Sequence, residues 1–197
     1  MIRYTWCIDD IKKYQSGALP ATAQKLDAPA TINEMMIKSA PIAVAASMVL
    51  ALTMFLKTFI NKQFVVSLPA ILTGALLGIL LLVVHEWLHA IVYPRNATVT
   101  IGKLKGKMAF VALASFPLKR SRFIIMSLLP FLLGILPLAC FIISSPQEMV
   151  FNGLMFGLAC VGMTSPHPDV YNVILVLKQS QKADKIMFYG DDMYRVP

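Results

Sequence analysis

Four apolar stretches limit what this chain can fold into. They cover residues 41–60, 68–93, 123–144 and 150–177. Each has about the 20 residues a helix needs to cross roughly 30 Å of hydrocarbon. A chain inside lipid must satisfy every backbone N–H and C=O internally, which for segments of this kind means α-helix. Composition points the same way. The chain is 57% hydrophobic and 14% charged, against about 45–50% and about 25% in an ordinary soluble domain. The expected fold class is therefore an all-α integral membrane protein with four transmembrane helices. Residues 1–40 are expected as an N-terminal segment, 41–177 as the membrane domain and 178–197 as a tail. The first apolar run begins only at Pro41, behind a polar stretch, so it reads as a retained membrane helix rather than a cleaved signal.

The formal net charge of +8 would suggest nucleic acid in a soluble protein, but the cations are distributed by segment. Sixteen of the 18 Lys and Arg residues lie before the first stretch, between the second and third, or after the fourth; only Lys57 and Lys62 flank the first short connection. Four crossings put those three basic segments on one side. Lys and Arg accumulate on the cytoplasmic side, so both termini are expected there, with membrane lipid as partner and no nucleic acid. Cys7, Cys140 and Cys160 are few, odd in number and far apart, which indicates neither a disulfide framework nor a cysteine metal site.

The basic loop between the second and third stretches alternates polar and apolar residues at Thr98-Val99-Thr100-Ile101 and again from Met108 to Val111, around a turn at Lys105-Gly106. This pattern predicts a small cytoplasmic β-hairpin over residues 97–114. Ile186-Met187-Phe188-Tyr189, followed by Gly190-Asp191, predicts a short strand in the tail.

All three histidines of the chain, and the two acidic residues deep in apolar stretches, fall in two short segments. Ionisable groups are expensive inside a membrane and mark functional sites. The first segment is His85-Glu86-Trp87-Leu88-His89. Residues four apart share a helical face, so both imidazoles can bind one zinc ion while Glu86 serves as general base. The second is Ser165-Pro166-His167-Pro168-Asp169-Val170-Tyr171-Asn172. Catalytic zinc usually takes three protein ligands, and either His167 or Asp169 can supply the third. Depth favours Asp169. His85 and Asp169 each lie eight residues before the end of their own stretch, or roughly 12 Å at 1.5 Å per residue. His167 and Asn172 are then candidates for orienting Asp169 or contacting substrate. The prolines break the helix there, as a protein-lined cavity permits.

The His-Glu-Trp-Leu-His motif in a membrane helix, the basic loop, Leu129-Pro130-Phe131 and the Pro-Asp-Val-Tyr-Asn run at 168–172 resemble the putative zincin peptidase family of small bacterial membrane proteins. More distantly, the layout is similar to intramembrane metalloproteases of the site-two type. The likeness covers roughly residues 68–190. It implies zinc held by His85, His89 and Asp169, Glu86 as base, a bacterial cytoplasmic membrane, and a peptide or membrane-protein substrate. One departure stands out: the site-two enzymes usually carry Asn-Pro-x-Asp-Gly, whereas this chain has Ser-Pro-His-Pro-Asp-Val. The expected function is a membrane-embedded zinc metallopeptidase. Its rival is a membrane protein that binds metal without hydrolysis, as a sensor, adaptor or transporter subunit. Oligomeric state is not legible in the sequence.

Overall fold

The computed structural model describes residues 1–15, 17–106 and 110–197. Its elements run β1 (Ile2–Ile8), β2 (Gln24–Lys25), α1 (Ile32–Asn61), α2 (Leu68–Leu80), α3 (Leu82–Val92), β3 (Val99–Leu104), β4 (Phe110–Leu113), β5 (Leu118–Lys119), α4 (Arg120–Leu128), α5 (Leu132–Ile143), α6 (Met149–Thr164), α7 (His167–Gln179), β6 (Lys185–Tyr189) and β7 (Asp192–Val196). Four helical stretches are long and apolar enough to cross a membrane: Ile32–Asn61, Leu68–Val92, Arg120–Ile143 and Met149–Gln179.

The all-α expectation needs correction, because seven strands form two sheets among the described residues. The first sheet has the order β1-β3-β4. β1 runs parallel to β3, with Ile2 opposite Val99 and Tyr4 opposite Ile101. β3 and β4 are antiparallel, with Ile101 opposite Ala112, and they form the hairpin expected over 97–114. Met108 and Ala109, on which part of that expectation rested, lie outside the described residues. The second sheet is antiparallel throughout, in the order β2-β7-β6-β5. The tail strand expected at 186–189 is β6, and it turns into β7 through Gly190 at φ +60°. Positive φ suits glycine, and tight two-residue hairpin turns demand it.

Some helix limits also differ from those of the apolar runs. α1 begins at Ile32 rather than Pro41 because a capping arrangement starts it early. The Glu34 amide donates to Thr31 Oγ1 at 3.1 Å, and the Ala30 amide donates to the Glu34 carboxylate at 2.9 Å. The second stretch is divided at Leu81 into α2 and α3. The fourth is divided between Thr164 and His167, at Pro166.

The chain forms two compact units. One comprises residues 1–38, 83–129 and 168–197, which contain both sheets, α3, α4 and most of α7. Leu26, Leu118, Phe123, Met126, Leu175, Val176, Ile186 and Met193 make its largest core cluster, joining the second sheet to α4 and α7. Val99 and Ile101 pack with Ala90 and Ala114 in another, which holds the first sheet against α3.

The other unit comprises residues 39–82 and 130–167 and is helical. Its helices approach through glycine. A Cβ on Gly157 would stand 2.2 Å from the Ile71 carbonyl oxygen, and one on Gly74 would stand 2.2 Å from that of Leu154, so α2 and α6 meet backbone to backbone. Gly134 and Gly162 do the same for α5 and α6. Helices in lipid associate through such small-residue contacts, since lipid tails remove the hydrophobic incentive. This unit also holds a cation. Lys57 Nζ donates to the Ser144 carbonyl at 2.9 Å, to Asn152 Oδ1 at 3.0 Å and to the Phe141 carbonyl, and it lies 4.5 Å from the centre of the Phe141 ring.

Candidate metal centre

α3 turns its polar residues inward. His85 and His89 are 6% and 7% exposed, whereas Val83, Trp87 and Ile91 on other faces are each more than 40% exposed. A helix in water would do the reverse. Lipid around the helix would make this arrangement favourable, because the apolar side chains would need no cover while the imidazoles find polar partners inside.

Those partners come from α7. Asp169 lies in its first turn, where the positive end of the helix dipole favours a carboxylate. Its Oδ2 is 3.3 Å from His85 Nε2 and its Oδ1 is 3.5 Å from His89 Nε2. The two Nε2 atoms are themselves 3.1 Å apart. Zinc binds His nitrogen and carboxylate oxygen at about 2.0–2.2 Å in tetrahedral sites, so neighbouring donors should sit roughly 3.3–3.6 Å apart. The three spacings come within a few tenths of an ångström of that edge, with Asp169 offering a different oxygen to each imidazole; with one atom taken per residue, the ligand atoms all lie within 4.8 Å of one another. The donor set, two imidazoles and a carboxylate, is one that zinc takes in hydrolytic enzymes. His85, His89 and Asp169 can thus hold a metal ion, and among the described residues they form the one such group of three or more.

The two imidazoles are held differently. His89 Nδ1 is 2.8 Å from the Met126 carbonyl oxygen. A carbonyl only accepts, so Nδ1 carries a proton, and Nε2 is the nitrogen turned toward Asp169 and His85. His85 Nδ1 is buried and has no hydrogen-bond partner among the described residues. Glu86, largely buried, brings Oε1 to 3.9 Å from His85 Nε2, and the backbone N–H of Ala112 in β4 faces its carboxylate.

The remaining candidates stand outside the three-residue group. His167 Nδ1 is 2.9 Å from the Thr164 carbonyl, a local bond across the junction of α6 and α7, and His167 is not part of the three-residue group. Asn172 Oδ1 is buried without a partner among the described residues. Sequence reasoning missed the Met126 carbonyl and the Ala112 amide, because backbone groups leave no side-chain signature.

The family model described as Putative zincin peptidase matches residues 78–183, a span that includes α3, the first hairpin and α7. No curated protein and no solved structure matches the chain significantly. With more than half of its length matched by that model, the chain belongs to the putative zincin peptidase family.

Proposed function

We propose that this protein is a membrane-embedded zinc metallopeptidase that hydrolyses peptide bonds of membrane-associated substrates near the cytoplasmic face. The observation that carries the reading is the convergence of His85, His89 and Asp169, with ligand atoms all within 4.8 Å of one another and Glu86 beside them. A zinc ion held by these three supplies Lewis acidity, polarising a carbonyl and making water acidic enough to lose a proton near pH 7. Glu86 accepts that proton at its carboxylate as the water oxygen bonds to the peptide carbonyl carbon. It then delivers the proton to the amide nitrogen as the C–N bond breaks, leaving a carboxylic acid and an amine.

β4 suits an extended substrate. It is the edge strand of its sheet, and its Ala112 amide lies at the Glu86 carboxylate. A peptide segment added along that edge gains main-chain hydrogen bonds beside the general base. The cation distribution supports a cytoplasmic location for the termini and both sheets, in a bacterial inner membrane.

The test is hydrolysis by purified, zinc-loaded protein in proteoliposomes carrying membrane-anchored peptides, read by mass spectrometry of the fragments. Wild type should cleave. Glu86→Gln should keep its zinc and lose about 10²–10⁴-fold in rate, the usual worth of a general base. Cleavage unchanged in Glu86→Gln would discard the mechanism. Zinc binding without any cleavage in the wild type would favour a metal-binding protein of another kind.

A further inference from the structure

We propose that Pro130 is a positioning residue for the metal centre. By withholding a backbone N–H from the Met126 carbonyl, it reserves that carbonyl for His89. The inference rests on the metal-binding reading above and concerns how one ligand is aimed.

In an α-helix the carbonyl of residue i accepts from the amide of residue i+4. For Met126, near the end of α4, that position is 130, and proline has no amide hydrogen. The tighter i+3 alternative is taken as well, since the Leu129 amide donates to the Ile125 carbonyl. Met126 therefore lacks both helical donors. It is 5% exposed, and a buried carbonyl without a partner is costly. The donor it finds is His89 Nδ1, at 2.8 Å.

The exchange serves both groups. The carbonyl is satisfied, and the imidazole is held in one orientation with a proton on Nδ1. Its Nε2 then faces Asp169 Oδ1 at 3.5 Å and His85 Nε2 at 3.1 Å. Any other residue at 130 would supply an N–H able to close the helical bond to Met126 and compete with His89. This gives a chemical reason for a proline within Leu129-Pro130-Phe131, where it lies inside a stretch long enough to span a membrane. Partners of this kind for a ligating histidine typically set about 10–100-fold in metal affinity.

The experiment varies the N–H alone. Pro130→Ala supplies one. Replacing Pro130 with lactic acid by nonsense suppression gives the same methyl side chain on an ester, with no N–H. Zinc affinity is measured in detergent by competition with a chelator. The ring tautomer of His89 in metal-free protein is read from ¹⁵N chemical shifts. Pro130→Ala should bind zinc about 10–100-fold more weakly and lose the hydrogen-bonded Nδ1–H signature, while the lactate variant should match the wild type in both. Equal affinity and tautomer in wild type and Pro130→Ala would overturn the proposal, as would a lactate variant as impaired as Pro130→Ala. If the wild type takes up no zinc, the metal-binding reading fails, and the tautomer comparison alone still decides what Pro130 does.

Discussion

His85 on α3 and Asp169 on α7 come within 3.3 Å of each other, nitrogen to oxygen. A metal ion could join them where otherwise a hydrogen-bonded proton does. Purified wild type should carry about one zinc per chain. His85→Ala and Asp169→Ala should each lose more affinity than the roughly 10–100-fold typical of an outer partner. His167→Ala should keep its zinc, because His167 stands outside the group formed by His85, His89 and Asp169. Metal analysis of the four proteins decides it: zinc retained by Asp169→Ala and lost by His167→Ala would transfer the third ligand to His167.

Lys57 should matter for stability. Its ammonium satisfies the Phe141 and Ser144 carbonyls at the end of α5 together with the wholly buried Asn152. Lys57→Met keeps the length and removes the donor; Ser144 Oγ can still donate to the Phe141 carbonyl or to Asn152 Oδ1, and each acceptor left bare costs about 1–3 kcal/mol. Thermal unfolding in detergent should show a clear fall in midpoint. A midpoint equal to the wild type would mean that water replaces the ammonium at no cost.

Gly157→Val should destabilise more than a typical overpacking change of about 1–3 kcal/mol. Its new Cβ would meet a backbone oxygen, that of Ile71, at 2.2 Å, and no rotamer change relieves that clash. Gly106→Ala provides the contrast, because open space surrounds a Cβ there and only its φ of +73° opposes the change. Comparable losses at the two sites, measured by the same unfolding assay, would refute close α2–α6 packing.

Orientation can be read by thiol labelling. Cys7 is exposed in β1. In a chain with Cys140 and Cys160 changed to Ala, a membrane-impermeant maleimide should label intact cells only when Gln63→Cys is added, in the connection between α1 and α2. Cys7 should react only after lysis. Labelling of Cys7 in intact cells would reverse the proposed topology.

The apolar runs are legible because span length and hydropathy are local, and they recover the four helical stretches. The His85–His89 pair is legible for the same reason, through helical spacing. Matching depth is a coarse measure, yet the structure does bring Asp169 to that pair. Within the first sheet the hairpin is legible and β1 is not, because β1 finds its parallel partner far along the chain and nothing in Ile2–Ile8 names Val99–Leu104. β2 and β5 are two residues each, too short for any periodicity. The division at Leu81 is also silent, in a run of leucines with ordinary right-handed backbone.

The pairing of β2 with β7 has a bearing on biogenesis. Gln24 accepts hydrogen bonds from Arg195, a residue 171 positions away. β7 supplies Met193 to the cluster that also contains Met126, whose carbonyl holds His89. A nascent chain that has made α3 but not β7 therefore still lacks part of the packing that steadies this ligand. Such long-range closure is slow and comes late. If the metal centre is hydrolytic, its full activity would wait on β7.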